Sequence, residues 1–258
     1  MKLVTWNVNS LNVRLPRLLD WLAAHAPDVV CLQETKLDDA RFPVEALRAA
    51  GYEAVYYGQK TYNGVAILAR EGLALDEPEH GIDGFEDEQK RVIAATIGGI
   101  RVICVYVPNG QSVDSDKYAY KLRWCRAVAE HLRDAVRRHP QLVMAGDFNV
   151  APDDRDVHDP RLWEGQVLCS EPERAAFRAF LAAGLVDSFR LFEQPPKVYS
   201  WWDYRQLAFP KNLGLRIDHI LVSEALAPRC TASTIDRNAR KGEKPSDHAP
   251  AVVELASA

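Results

Sequence analysis

Hydrophobic residues along the chain form short apolar runs, separated by longer stretches in which apolar residues recur with helical spacing. The runs at 2–7 and 29–32 are typical of β-strands, and the second is wholly apolar, as in a buried strand. Between them, leucines recur at three- and four-residue intervals up to His25, which predicts an amphipathic helix. This order favours two parallel strands with the helix packed across them.

The rest of the chain combines hairpins with further alternation of strands and helices. A Gly-Gly pair separates apolar runs at 92–97 and 100–107, which predicts a β-hairpin, and the longest helix is predicted over 117–138. Further strands are predicted at 52–57, 65–68, 142–145, 217–222 and 251–255, and shorter helices at 43–50 and 174–183. The mixture predicts an α/β fold of mixed sheets covered by helices. Because no repeat or linker divides the chain, we expect residues 1–258 to form one domain.

Composition excludes several classes of protein. Hydrophobic residues are 47% and charged residues 26%, which is ordinary for a globular protein. No apolar run reaches the length of a membrane-spanning helix, so we expect no membrane partner, and the N-terminus lacks the apolar stretch of a secretory signal. The five cysteines are odd in number, and no two have the spacing of a zinc or redox motif. We therefore expect free thiols and a cytoplasmic location.

The net charge of −4 argues at first against a nucleic-acid partner. However, residues 76–88 hold seven acidic side chains and no Lys or Arg, and we expect them to form a loop turned away from DNA. Without these seven charges the remaining chain has a net charge of +3. Segment 197–217 interleaves five aromatic residues with four cations and one acid, a composition that follows a phosphate backbone and stacks on bases. A second basic segment, 237–244, is either a solvated loop or a phosphate-steering surface, and its position before a Ser-Asp-His run favours steering.

Polar residues follow the predicted strands at the points where the strands end. They are Asn7 and Asn9, Gln33 and Glu34, Tyr106 and Asn109, Asp147 and Asn149, Asp218, and Ser246-Asp247-His248. Any one of them could be a turn former or a helix cap. Strand ends in α/β sheets open onto shared crevices, so together they predict one site.

The residue types in this set favour a hard cation. Carboxylates suit Mg²⁺, whereas a cluster of thiolates or histidines, as zinc prefers, is missing. A magnesium site implies a phosphate substrate. A neighbouring carboxylate can deprotonate an attacking water, and a protonated histidine with Asn or Tyr donors can stabilise charge on the phosphoryl oxygens.

Six short motifs carry a family resemblance. In chain order they are Thr5-Trp6-Asn7-Val8-Asn9, Leu32-Gln33-Glu34-Thr35-Lys36, Tyr106-Val107-Pro108-Asn109-Gly110, Gly146-Asp147-Phe148-Asn149, Gly214-Leu215-Arg216-Ile217-Asp218-His219 and Ser246-Asp247-His248-Ala249-Pro250. Together they resemble the exonuclease III family of bacterial DNA-repair nucleases, over nearly the whole chain. The family belongs to the endonuclease/exonuclease/phosphatase superfamily, and its fold resembles that of pancreatic DNase. The resemblance implies an α/β layered sandwich of two mixed β-sheets flanked by helices.

The resemblance also implies a metal set and catalytic roles. Glu34 would be the principal ligand of Mg²⁺, which Mn²⁺ could replace. The other residues at the metal would be Asn7, Asp147, Asn149, Asp247 and His248. Asp147 would position or deprotonate the attacking water, and Asn149 would hold the water and the phosphate. Tyr106 would contact the scissile phosphate. His248 would donate to a phosphoryl oxygen, with Asp247 fixing its tautomer and Asp218 supporting the metal or the histidine.

By the same resemblance the substrate is double-stranded DNA with 3′ ends or abasic sites, bound by a monomer. The activities implied are 3′→5′ removal of nucleotides, removal of 3′ blocking groups and incision 5′ to abasic sites. The DNA-binding residues would be Asn9, Lys36, Asn109, Leu168, Trp201 and Arg216. Trp201 would line the pocket for an extruded sugar while Trp202 packs inward. Relatives that incise abasic sites well tend to carry a small residue at the position aligned with Leu168, so we expect exonuclease activity to outweigh incision here.

Two other functions are compatible with parts of this pattern. Another phosphodiesterase of the superfamily, such as a sphingomyelinase or an inositol-phosphate phosphatase, would share the metal site. A non-catalytic DNA-binding module would share the fold. The basic and aromatic segment favours DNA over the first, and the presence of Glu34, Asp147 and His248 favours an enzyme over the second.

Overall fold

The computed structural model describes residues 1–257 and contains two six-stranded sheets in that range. The strands are β1 (Lys2–Asn7), β2 (Val29–Gln33), β3 (Tyr52–Tyr57), β4 (Val65–Arg70), β5 (Leu75–His80), β6 (Val92–Ile97), β7 (Ile100–Tyr106), β8 (Leu142–Asp147), β9 (Leu185–Asp187), β10 (Asp218–Ser223), β11 (Cys230–Ile235) and β12 (Ala251–Leu255). The α-helices are α1 (Leu11–His25), α2 (Val44–Ala49), α3 (Asp116–Arg138), α4 (Pro160–Trp163) and α5 (Glu171–Ala182).

Both sheets are mixed, as expected. The first has the strand order β11-β12-β1-β2-β4-β3, and the second has the order β5-β6-β7-β8-β10-β9. The β1–β2 and β7–β8 pairs are parallel, and in each case a helix connects the two strands across a face of the sheet. The predicted sandwich of two mixed sheets flanked by helices is therefore confirmed.

The core lies in three layers. Aliphatic side chains of the two sheets, including Leu3, Ile67 and Val143, pack against each other in the middle. Residues of α1 such as Leu22 cover the outer face of the first sheet, and Trp124 of α3 helps to cover the second, together with side chains from α5. Because both faces of the central strands are buried, β2 and β8 are apolar up to the polar residue that ends each of them, rather than alternating.

The structure corrects the reading of the acidic stretch at 76–88. Its first part is not a loop but belongs to β5, an edge strand of the second sheet. The strand escaped prediction because its side chains are mostly exposed, so they show no apolar alternation, and because it contains Pro78. Charges and a proline on an edge strand discourage pairing with other chains.

Two further expectations can be compared with the described residues. All five cysteines are free; four are buried, and Cys230 is partly exposed. No helix in the described range has the length and apolar character needed to cross a membrane.

Arg216, expected to contact DNA, is instead buried. Only 1% of its surface is exposed, so it cannot reach a duplex. Its Nε donates to Asp156 Oδ1 at 2.7 Å, and its Nη2 donates to Asp187 Oδ2 at 2.7 Å. A fully paired guanidinium of this kind holds the chain before β10 against its neighbours, because breaking a buried pair leaves an uncompensated charge.

The same guanidinium determines the protonation of His219. Arg216 Nη1 lies 3.0 Å from His219 Nδ1, and since a guanidinium only donates, Nδ1 must be the acceptor. His219 Nε2 then donates to the carbonyl oxygen of Val150 at 2.9 Å. Burial, reinforced by the charge of Arg216, lowers the pKa of His219 to about 4.

We predict that His219 makes the folded protein less stable as the pH falls. Its pKa is below the ordinary value of 6.5, so the unfolded chain binds a proton before the folded one does. Between pH 7 and pH 5 this linkage removes about 2 kcal/mol of unfolding free energy. Urea unfolding of the wild type and of His219→Gln at both pH values measures it. Between pH 7 and pH 5, the unfolding free energy of the variant should fall by about 2 kcal/mol less than that of the wild type. An equal fall in both proteins would contradict the low pKa of His219.

Candidate active site

The site forms where strand ends of both sheets meet, and strand register places its residues. In the second sheet, Asp147 at the end of β8 is paired with Tyr106 on β7 and with Asp218 on β10. Asn7 ends β1 in the first sheet, and Glu34 directly follows the neighbouring strand β2. The structure therefore brings together side chains that are far apart in the sequence.

Asn7 connects the two sheets at this point. Its Nδ2 donates to Glu34 Oε1 at 2.8 Å and to Asp147 Oδ2 at 2.9 Å. Its Oδ1 accepts from the backbone N–H of Asn9 at 2.9 Å, which orients the amide. A direct metal ligand would use that oxygen. Asn7 thus holds the two carboxylates in place with its nitrogen, which differs from the expectation that it belongs to the ligands themselves.

Three of the expected metal ligands lie close enough to share an ion. Glu34, Asp147 and His248 each offer one ligand atom, and these atoms lie within 4.8 Å of one another. Burial, together with the negative charge of Asp218, raises the pKa of Asp147 to about 7 even though His248 acts in the opposite direction. The site is thus short of positive charge, and its carboxylate oxygens fit a hard divalent cation.

His248 is held by Asp218. Nδ1 lies 2.9 Å from Asp218 Oδ2, and Nε2 lies 3.7 Å from Asp147 Oδ2. Burial alone would lower the pKa of His248, but the charges of Asp218 and Asp147 raise it to about 10. The histidine is therefore an imidazolium at neutral pH, with one N–H directed to Asp218 and the other facing the site.

The expectation that Asp247 fixes the tautomer of His248 is corrected. Asp247 Oδ1 accepts from Asn9 Nδ2 at 3.0 Å, and its Oδ2 accepts from Trp201 Nε1 at 3.0 Å. Asp247 also lies outside the group of side chains that could share a metal in the described part of the chain. Its contacts orient the indole of Trp201. Trp202, the neighbouring indole, is fully buried, as expected.

Asn9 and Lys36 lie at the rim of the same site. Lys36 Nζ donates to Asn9 Oδ1 at 2.7 Å and forms an ion pair with Glu34 Oε2 at 3.0 Å. The backbone at Glu34 has φ = 52°, in the left-handed region that a non-glycine residue rarely adopts. Such strain is found where the surroundings hold a residue for function.

Tyr106, Asn109 and Asn149 form the opposite side of the site. Burial and the charges of Glu34 and Asp147 raise the pKa of Tyr106 well above its ordinary value, so its hydroxyl remains protonated. Asn149 donates its backbone N–H to Asp147 Oδ1 at 2.9 Å, and its Oδ1 accepts from Asn109 Nδ2 at 3.2 Å. Tyr106 and Asn109 also line an adjoining cleft of about 770 Å³.

Leu168 lies beneath this surface. It is buried in a small apolar cluster with Leu215 and Ile217, and Trp201 packs against that cluster. Its backbone φ is 76°, which a leucine adopts only under constraint. Leu168 is thus near the indole that the sequence assigned to a sugar pocket.

An ion pair that sequence reasoning missed supports the loops of the site. The ammonium of Lys121 on α3 is completely buried and pairs with Glu173 of α5. It also donates to the carbonyl oxygens of Asn109 at 3.1 Å and Asn149 at 2.7 Å. Glu173 Oε1 accepts from the backbone N–H of Leu168 at 2.9 Å. The only signal was the spacing Ser170-x-x-Glu173, a capping box at the start of α5.

Comparison with known proteins identifies the family. The profile of the Endonuclease/Exonuclease/phosphatase family matches residues 4–248. The chain belongs to this family. It is 36% identical to exodeoxyribonuclease III of Haemophilus influenzae, with 99% of this chain and 100% of that protein covered. The full-length match places the chain among the hydrolytic nucleases of the family.

Solved structures agree with this assignment. A 3′ phosphatase from Neisseria called NExo, solved bound to a product DNA hairpin, superposes with a TM-score of 0.97 at 47% identity, covering 100% of both chains. An AP endonuclease from Archaeoglobus fulgidus superposes with a TM-score of 0.95 at 38% identity, again over 100% of both chains. The DNase-like sandwich is therefore shown by close structural relatives.

We predict that Lys121→Met destabilises the protein by about 3–5 kcal/mol, because the carboxylate of Glu173 is left buried without its cation. Lys117→Met is the matched control: Lys117 is exposed on the same helix, so its loss should change the unfolding free energy by less than about 0.5 kcal/mol. Urea unfolding measures both. Similar small effects for the two variants would contradict the role of the ion pair.

Proposed function

We propose that this protein is a Mg²⁺-dependent DNA-repair nuclease that removes nucleotides and blocking groups from the 3′ ends of duplex DNA and incises abasic sites more weakly. The observation that carries the proposal is the close group of Glu34, Asp147 and His248 at the joined strand ends. The names of its relatives, an exodeoxyribonuclease III, a 3′ phosphatase and an AP endonuclease, support the substrate and the activities.

Glu34, with Asp147 beside it, would hold the cation, Mg²⁺ or Mn²⁺. His248 as an imidazolium has no free ring nitrogen for a metal, so it would face the phosphate instead. When bound, such an ion neutralises charge on the phosphoryl oxygens and orients the phosphate. The carboxylate oxygens and the deficit of positive charge around Asp147 are what support this choice of cation.

Asp147 is the residue that orients the attacking water and accepts its proton. Asn7 and the backbone N–H of Asn149 hold its two oxygens, at 2.9 Å each, so the carboxylate has one orientation. A carboxylate fixed in this way avoids the entropic cost of finding the reactive geometry.

His248 and Tyr106 supply hydrogen-bond donors to the phosphate. The imidazolium of His248 is fixed by Asp218, and its Nε2 N–H faces the site. The hydroxyl of Tyr106 remains protonated because its pKa is raised. Donors that are already oriented stabilise the charge that develops on the phosphoryl oxygens in the transition state.

The DNA itself would be held around this centre. Asn9 and Lys36 lie on one rim and Asn109 on the other, while Trp201, oriented by Asp247, would face the nucleotide at the cleaved end. Arg216 has no part in this surface, because it is buried in its ion pairs.

We predict that Asp147→Asn abolishes cleavage and preserves binding, since the amide keeps the shape of the side chain but cannot accept a proton. A duplex with a recessed 3′ end is incubated with wild type and variant in Mg²⁺, with wild type in EDTA as the control. Only the wild type in Mg²⁺ should release nucleotides, and the affinities measured by fluorescence anisotropy should agree within a few-fold.

Two outcomes would contradict the proposal. Equal loss of binding and cleavage in Asp147→Asn would mean that the residue is structural. A wild-type protein that cleaves no DNA in Mg²⁺ but hydrolyses inositol phosphates or sphingomyelin would place the activity elsewhere in the superfamily.

We predict that Leu168→Gly raises incision at abasic sites relative to exonuclease activity. Removing the side chain opens space in the apolar cluster against which Trp201 packs. Glycine also adopts φ = 76° without strain, so the substitution should leave the backbone conformation unchanged. Rates on an abasic duplex and on a recessed 3′ end are compared for both proteins. Leu162→Gly, at an exposed leucine of α4 outside this cluster, is the control, and an unchanged ratio in Leu168→Gly would refute the pocket assignment.

A further inference from the structure

A second cluster of positive charge lies beside the site, at the start of α1 and in the loop 237–245. Arg14 Nη1 donates to the carbonyl oxygen of Asn9 at 2.6 Å, and its Nη2 donates to Tyr204 Oη at 3.0 Å. Asn9 in turn donates to Asp247, which holds Trp201. A continuous chain of hydrogen bonds thus joins this cluster to the active site.

Arg240 is the unusual member of the cluster. Only 7% of its surface is exposed, and its guanidinium lies between the rings of Tyr204 and Phe209, 4.9 Å and 5.1 Å from their centres. Its Nε has no hydrogen-bond partner, and no carboxylate lies within ion-pair distance in residues 1–257. Arg216 is equally buried but pairs with two carboxylates. Stacking on aromatic rings offsets only part of the cost of an unpaired buried cation.

The neighbouring charges increase the need for an anion. Burial lowers the pKa of Arg240 despite the opposing influence of Tyr204 and Asp247, and the charges of Arg14 and Arg17 add to the lowering. Lys241 and Lys244 flank it in the exposed loop. Arg17 holds this loop by donating to the carbonyl oxygens of residues 239, 241 and 243. The loop is therefore ordered around a group of cations that its own acids do not neutralise.

We propose that Arg240, with Arg14 and Lys244, forms a subsite for a DNA backbone phosphate other than the one that is cleaved. The proposal rests on the proposed nuclease function and names part of its DNA surface. A phosphate supplies the missing counter-ion, and a guanidinium can bind two of its oxygens at once. A backbone phosphate is favoured because hydrogen bonds through Asn9 and Asp247 connect Arg14 to Trp201. A DNA strand bound in the active site therefore passes this cluster.

The first test is the salt dependence of binding. Affinity for a duplex with a recessed 3′ end is measured by anisotropy in EDTA over a range of salt concentrations. Arg240→Gln should weaken binding roughly tenfold and reduce the slope of log K against log salt by about 1. Arg137→Gln, at the exposed far end of α3, is the matched control and should change neither value.

The second test locates the phosphate. Single methylphosphonate linkages, which are uncharged, are placed at successive positions of the duplex. One linkage within a few nucleotides of the cleaved one should weaken binding to the wild type roughly tenfold and leave binding to Arg240→Gln unchanged. If Arg240→Gln does not fold, Lys244→Gln and Arg240→Lys take its place. Lysine keeps the charge but cannot bind two phosphate oxygens at once, so the uncharged linkage should weaken binding to Arg240→Lys less than it weakens binding to the wild type.

The outcomes separate this subsite from the proposed function. If no linkage is coupled to Arg240 or Lys244 while the wild type cleaves DNA, the subsite is wrong and the nuclease stands. If the wild type neither binds nor cleaves duplex DNA, both fail. A Tm for Arg240→Gln close to that of the wild type, together with the single coupled linkage, establishes a contact rather than a structural effect.

Discussion

The site depends on holding acidic side chains close together inside the protein. Asp147 and Asp218 are almost fully buried and Glu34 is partly so, and burial together with the charge of Asp218 disfavours the charged form of Asp147. The structure offsets this with the amide of Asn7 and the imidazolium of His248, and the balance still leaves room for a cation. The same deficit favours a cation at this position, as the proposed metal site requires.

The sandwich makes this arrangement possible. Each sheet contributes strand ends to one edge of the molecule, and the hydrophobic layer between the sheets keeps those edges in register. Within the second sheet the pairing of β7, β8 and β10 places Tyr106, Asp147 and Asp218 in adjacent positions. A change of one residue in register would turn these side chains to the opposite face, so the apolar core is what specifies the site.

Buried arginine and lysine side chains surround the centre in different states. Lys121 and Arg216 are neutralised by carboxylates and hold loops or strands in place. Arg240 has no such partner. Unpaired buried charge is costly. Full pairing supports a structural role for Lys121 and Arg216, and the partner that Arg240 lacks is what the proposed phosphate subsite would supply. Burial and pairing, rather than the residue type, separate these roles.

The sequence by itself determined the α/β class, most strands and helices, and the residues that gather around Asp147, because apolar runs and the polar residues that end them are local properties. It did not predict β5, whose exposed, acidic side chains carry no such pattern. Only the tertiary structure decided that Arg216 is buried, that Asp218 rather than Asp247 holds His248, and that Lys121 supports the loops. Each of these depends on which distant side chain lies within a few ångströms, and packing alone determines that distance.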